Sequence, residues 1–126
     1  GNSGTIYYDQ SLTAPKGTVA AVNKKTNAYH NFIGGDNPIT IFNTTAPSDK
    51  VLVIIKESFG NAMVAYLTQN YQNVYVVDYR YINQVFPGTL RQFVDERGIQ
   101  DVMFINNISA TRSPALVNAM NAFVGQ

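Results

Sequence analysis

The rhythm of apolar and polar residues changes once along this chain, between Thr44 and Asp49. Beyond that point, short apolar runs alternate with stretches at helical spacing. Val51 to Ile55 is a continuous apolar run, the pattern of a strand buried on both faces in a parallel sheet covered by helices. The run breaks at Lys56-Glu57 and reaches Ser58, Phe59, Gly60 and Asn61. Ala62, Met63, Tyr66 and Leu67 then recur at helical spacing and predict a helix with that stripe buried. Val74 to Asp78 is the second strand. A helix follows over about Thr89 to Arg97, with capping-box spacing at Thr89 and Gln92, a stripe of Leu90, Phe93 and Val94, and Gly98 as its stop. Asp101 to Asn106 is the third strand. Ser113-Pro114 opens the last helix, whose expected buried face is Leu116, Val117, Met120, Phe123 and Val124.

Such alternation predicts an α/β fold with right-handed crossovers, a parallel sheet and helices packed on it, the three-layer α/β/α or flavodoxin-like arrangement. Upstream of the break, Thr5–Tyr8, Thr18–Val22 and Ile39–Phe42 are short β-prone pieces. Gly34, Gly35, Asp36, Asn37 and Pro38 form a dense turn cluster, so Tyr29 to Phe42 reads as a hairpin or sharp bend. The expected organisation is one domain over residues 1–126. Residues 2–49 form an irregular β-rich segment with a β-hairpin extension, and residues 50–126 form the β/α core.

Composition narrows the function classes. The 126 residues are 45% hydrophobic and 13% charged, which excludes a disordered chain. Nine basic against eight acidic residues give no field that predicts nucleic-acid or membrane binding. With no cysteine and one histidine, neither disulfides nor a structural zinc site is expected. No apolar run approaches the ~20 residues that span a bilayer. Gly1 stands where methionine would, so a trimmed sequence is expected and the lack of a signal peptide carries no weight. Phosphate-loop and dinucleotide glycine motifs are absent, and Asp36-Asn37 lacks calcium-loop spacing. No cofactor is expected.

In an open parallel sheet, ligands bind beyond the carboxyl ends of the strands. Glu57-Ser58, Asp78-Tyr79-Arg80 and Asn106-Asn107 all fall there. A serine at a strand-to-helix junction suits a nucleophile, and it suits a helix N-cap equally well. A serine nucleophile needs a base. His30, beside Tyr29 and Phe32 in the irregular segment, has no nearby carboxylate in sequence and reads as a packing or surface residue. The tyrosines lie mostly in β-prone segments and read as core or sheet-surface residues.

The blocks YHNFIGGDNPITIFNTT, KVLVIIKESFGNAMVAYLTQNYQNVYVVDYRYIN and GIQDVMFINNIS resemble, in unbroken order from Tyr29 to Ser109, the DHHW family of bacterial envelope proteins. That family shows a FLGG-type turn, a K-D-S-Y/F junction, a V-I-D-x-R-Y strand end and a later L-F-x-x-N strand. The resemblance implies an SGNH-hydrolase-like fold related to alginate-type O-acetyltransferases, outside the cytoplasm or in the cell envelope. It implies Ser58 as nucleophile and Asn107 as oxyanion donor, with the Ser58 and Gly60 amides beside it. Glu57, Gly60, Asn61, Asp78 and Arg80 become ligand-binding candidates, Asp78 and Arg80 serving also as a structural ion pair. A cell-envelope carbohydrate is the implied partner. In those relatives the Asp and His partners and the DHHW motif lie upstream, and this sequence contains no such motif. Glu57 also replaces the family's aspartate, and Phe59 is its less usual aromatic. The chain is therefore expected to be the C-terminal part of an acylhydrolase or O-acetyltransferase, inactive by itself. The alternatives are a non-catalytic carbohydrate-binding or structural envelope module, and a small flavodoxin-like domain binding a ligand at the same edge.

Overall fold

The computed structural model describes residues 3–7, 15–20, 36–57, 60–67 and 69–125. Among them the strands are β1 (Ser3–Tyr7), β2 (Pro15–Ala20), β3 (Ile39–Asn43), β4 (Val51–Lys56), β5 (Asn73–Asp78) and β6 (Asp101–Ile105). The α-helices are α1 (Asn61–Leu67), α2 (Leu90–Arg97) and α3 (Pro114–Val124), joined by short 3-10 turns at Ile82–Gln84 and Ile108–Arg112.

The strands form one sheet in the order β2-β1-β3-β5-β4-β6. The expected parallel core is present: β4 pairs in parallel with β5 on one side and β6 on the other. The sheet as a whole is mixed, because β3 runs antiparallel to β5, β1 to β3 and β2 to β1. The N-terminal strands thus continue the sheet, with β1 and β2 as an antiparallel pair at the edge opposite β6. Burial explains why β3 sits inside it: Ile39, Thr40, Ile41 and Phe42 are all buried, so this strand needs cover on both faces and neighbours on both sides. The hairpin expected over Tyr29–Phe42 falls partly on residues 29–35, which lie outside the described residues.

Side chains alternate across each strand, so the core divides into two clusters. Val53, Ile55, Val77, Ile39 and Ile41 join Phe93 of α2 and Phe123 of α3 in one. Leu52, Ile54, Val74, Val76 and Phe42 join Val64 of α1 in the other. The rings of Tyr75 and Phe86 meet Phe93 edge to face, with centroids 5.7 and 5.3 Å away.

The buried faces expected of α1 and α3 hold only in part, and β6 is more exposed than an interior strand. In α1, Val64 is fully buried and Leu67 partly, whereas Met63 and Tyr66 are 49% and 75% exposed. Nearly every residue of NAMVAYL is apolar, so spacing alone does not select a face. In β6, Val102 and Phe104 are half exposed, because this strand is the sheet's edge and not an interior strand. In α3 only Phe123 is fully inside, and Val117 is exposed.

The helix ends follow their sequence signals. Thr89 and Gln92 exchange both capping-box hydrogen bonds, and Gly98 takes the left-handed conformation at φ 59°. Ser113 Oγ accepts the N–H of Leu116, with Pro114 in the first turn.

At the amino edge of the sheet, the Tyr71 hydroxyl donates to Asp101 Oδ2 at 3.0 Å, and the Val51 N–H donates to Gln100 Oε1 at 2.8 Å. The bond to Asp101, with some burial, raises the Tyr71 pKa above its ordinary 10.0. The folded protein therefore holds this proton more tightly than the unfolded chain. That stabilisation is complete below about pH 10 and is lost as pH rises through the raised folded value. Urea midpoints taken from about pH 8 to about pH 11 should fall more steeply for the wild type than for Tyr71→Phe. Parallel curves would remove Tyr71 from the account.

Candidate functional site

Parallel register places Lys56 level with Asp78 on β5 and with Ile105 on β6. The chain leaves β4 for β5 on one side, and then passes to β6 on the other. A sheet built this way has its switch point between β4 and β6, and the crevice beyond the carboxyl ends opens there. Glu57 and Asn106-Asn107 follow those two strands.

At the carboxyl ends of β4 and β5 is a network of four charges. Lys56 and Asp78 side chains are fully buried, with Lys56 Nζ 3.6 Å from Asp78 Oδ2 and 3.3 Å from Asp36 Oδ1. Arg80 grips Asp78 with both ends of its fork, Nε to Oδ1 at 2.9 Å and Nη2 to Oδ2 at 2.6 Å. Its backbone N–H also donates to Oδ1 at 3.0 Å, and Nη2 reaches Asp36 Oδ2 at 3.1 Å. Two cations thus meet two carboxylates and their charges cancel. The bidentate bond to Asp78 raises the Arg80 pKa further above its already high value, against the opposing effect of burial. The guanidinium also lies 5.0 Å from the Tyr81 ring centroid.

The stem of Lys56 dictates the turn above it. A Cβ on Gly60 would lie 2.7 Å from Lys56 Cβ, so the chain can pass over the lysine only at a glycine. The Gly60 N–H donates to the Glu57 carbonyl at 3.1 Å, and Asn61 begins α1. The amide expected at an oxyanion is therefore used inside this turn. Ser58 and Phe59 lie outside the described residues, as does His30; Glu57 and Gly60, on either side of that pair, are both buried.

A hydrogen bond spans the switch point. Glu57, 5% exposed, accepts the Asn107 backbone N–H on Oε1 at 3.1 Å. Asn107 Oδ1 accepts the Ser109 N–H at 2.8 Å and caps the 3-10 turn, while its carbonyl accepts the Ala110 N–H at 2.9 Å. These bonds fix the amide's orientation and leave its Nδ2 donors unspent among the described residues. Tyr79, 3% exposed, has a buried hydroxyl without a hydrogen-bond partner among the described residues. Burial, then the charge of Glu57, raises its pKa, so it stays a donor through neutral pH.

The structure therefore brings together Glu57, Gly60, Asp78, Arg80 and Asn107, all placed at this edge by their positions in the sequence. Tyr79 was placed at this edge only as the neighbour of Asp78 and Arg80, and Lys56 and Asp36 were not singled out as members of it. Lys56 carried one signal: VLVII-K and NVYVV-D end alike, which levels a cation with a carboxylate across a parallel pair. Among the described residues no group of three His, Asp or Glu side chains could hold a metal ion, and no helix is long and apolar enough to cross a membrane.

The family model described as DHHW protein matches residues 14–77. No curated protein matches the sequence. Among solved structures, the chain is similar to a DHHW family protein from Eubacterium siraeum, with 24% identity and a TM-score of 0.75, over 99% of this chain and 41% of that one. It is also similar to PatB1 of Bacillus cereus, solved alone and with a sulfonyl adduct, at 20% identity and TM-scores of 0.65 and 0.64. That likeness covers 90% of this chain and 38% of PatB1. The chain thus spans about two fifths of the length of these structures, and at such identities the likeness shows the fold.

Two substitutions test the buried network. Asp78→Asn leaves Lys56 and Arg80 facing one carboxylate and should cost about 3–5 kcal/mol in urea unfolding. Lys56→Met should cost less, because Asp78 keeps the Arg80 fork. A loss under about 1 kcal/mol for Asp78→Asn would be that of a surface pair and would contradict the network. Gly60→Ala should cost about 1–3 kcal/mol through overpacking on Lys56, and unchanged stability would show that the turn can relax.

Proposed function

The chain belongs to the DHHW family, and on that premise we propose that it carries the serine part of an acyl-transfer or ester-hydrolysis centre. In this reading the fold is the three-layer, SGNH-hydrolase-like one and Ser58 is the nucleophile. Asn107 Nδ2 donates to the oxyanion, and the substrate is an acylated carbohydrate of a bacterial cell envelope, outside the cytoplasm. The observation that carries the proposal is the 3.1 Å bond from the Asn107 N–H to Glu57. It holds an amide with unspent donors against the residue that precedes Ser58. A second support is general chemistry: sulfonyl adducts form where an activated nucleophile displaces a leaving group from sulfur, and PatB1, of the same fold, was solved with a sulfonyl adduct.

The reaction would run as follows. Ser58 Oγ attacks the ester carbonyl carbon, its proton passes to a base, and the oxyanion accepts a hydrogen bond from Asn107. Collapse expels the sugar oxygen, which takes the proton, and leaves an acyl-serine for water or another hydroxyl. No described residue is assigned as the base. The family resemblance places the Asp and His partners upstream, and this chain covers 41% of the Eubacterium siraeum protein. We assign the base to sequence beyond these 126 residues, which alone should turn over little substrate. The alternative is a non-catalytic carbohydrate-binding or structural module. It is favoured by the engagement of both edge carboxylates, Asp78 with Arg80 and Lys56, and Glu57 with Asn107.

A fluorophosphonate probe, read by mass spectrometry on the protein with all the sequence its gene encodes, separates the two. Acyl transfer predicts one adduct, on Ser58, abolished by Ser58→Ala and slowed about 100-fold or more by Asn107→Ala. An unmodified Ser58 would leave the non-catalytic module as the better account.

A further inference from the structure

The two edges of the sheet are built differently. At one edge β2 reads PKGTVA, opening on a proline and a lysine, and its ladder with β1 shifts register between Ile6 and Tyr7. Proline, lysine and an irregular ladder are the devices by which an edge strand resists further pairing. At the other edge β6 reads DVMFI and carries none of them, and its register with β4 is unbroken from Asp101 to Ile105. After Asp101 every residue of β6 is apolar, the pattern of a parallel strand covered on both faces.

The burial of β6 falls short of that pattern, since none of its residues is buried. Val102 and Phe104 lie level with Val53 and Ile55 of β4, which puts them on the face that α2 and α3 cover. There Val53 and Ile55 are fully inside, whereas Val102 and Phe104 are 43% and 47% exposed. Ile108, just past the strand, is exposed as well. The alternate N–H and C=O groups of β6 that point away from β4 have no strand partner among the described residues. An open, regular ladder with an apolar flank is a template for one more strand.

The solved DHHW family protein points to the source of that strand. It matches 99% of this chain with 41% of its own, so the same fold there sits within a longer polypeptide. A second copy of the chain suits the flank less well. Two-fold pairing would run β6 antiparallel to itself, whereas its unbroken apolar run is that of a parallel strand. We propose that the flank of β6 is an interface within one polypeptide: a segment of the same protein outside these 126 residues adds a strand to β6 and shields Val102 and Phe104. The inference uses the family membership and nothing of the acyl-transfer chemistry, so an unreactive Ser58 leaves it untouched.

Hydrogen–deuterium exchange, read by mass spectrometry on the protein with all the sequence its gene encodes, tests it. All five amides of β6 should exchange at least about 100-fold more slowly than in the unfolded chain, and should do so in a monomer at every dilution. Phe104→Cys in the same protein should react with N-ethylmaleimide at position 104 at least about 100-fold more slowly than after unfolding. The proposal is overturned if about half of the β6 amides exchange at the unfolded rate, as on an open edge. It is overturned too if the thiol at position 104 labels faster than stated, or if protection disappears as a dimer dissociates, which would make the partner a second copy.

Discussion

A fully buried lysine at the end of β4, the middle strand of the parallel part of the sheet, is the constraint around which this edge is arranged. An ammonium group without water is tolerated only beside a carboxylate, and the parallel pairing of β4 with β5 sets Asp78 level with Lys56. Asp78 in turn holds Arg80 through a fork, and Asp36 closes the square from the turn before β3. The methylene stem of Lys56 then forbids any side chain at position 60, which fixes where the chain crosses before α1. A single buried charge thus links three strands, one turn and the start of a helix.

That arrangement divides labour between acceptors and donors. The carboxylates of Asp78 and Glu57 are used inside the protein, one in the charge network and one as a tie across the switch point to Asn107. Among the described residues at this edge, the groups with capacity left over are donors, the Asn107 amide and the Tyr79 hydroxyl. An edge built this way is suited to a ligand rich in acceptor oxygens, whether a carbonyl or the anion formed from one. The proposed oxyanion contact draws on that surplus.

Much of this was legible in the sequence where the signal is local. The run VLVII, the Thr89–Gln92 capping box and the Ser113-Pro114 start specify β4, α2 and α3 from neighbouring residues alone. Strand ends likewise announced Asp78, Arg80 and Asn107, because polar residues that close a buried strand collect at one edge. The misses are non-local. The edge position of β6 is set by what pairs with it, which DVMFI does not encode. The place of β3 inside the sheet depends on two distant partners. A lysine after an apolar run looks like its terminator, and the bond from Lys56 to Asp36 joins residues 20 apart. In α1 the nearly uniform apolar sequence left the buried face undecided until Val64 met the sheet.

The most direct measurement is a crystal structure of the complete protein after reaction with a small sulfonyl fluoride. The account predicts a sulfonyl group on Ser58 Oγ, with one sulfonyl oxygen about 2.7–3.1 Å from Asn107 Nδ2, above an intact Lys56–Asp78–Arg80 network. A bare Ser58, or an adduct whose oxygens lie beyond hydrogen-bond reach of Asn107, would contradict it.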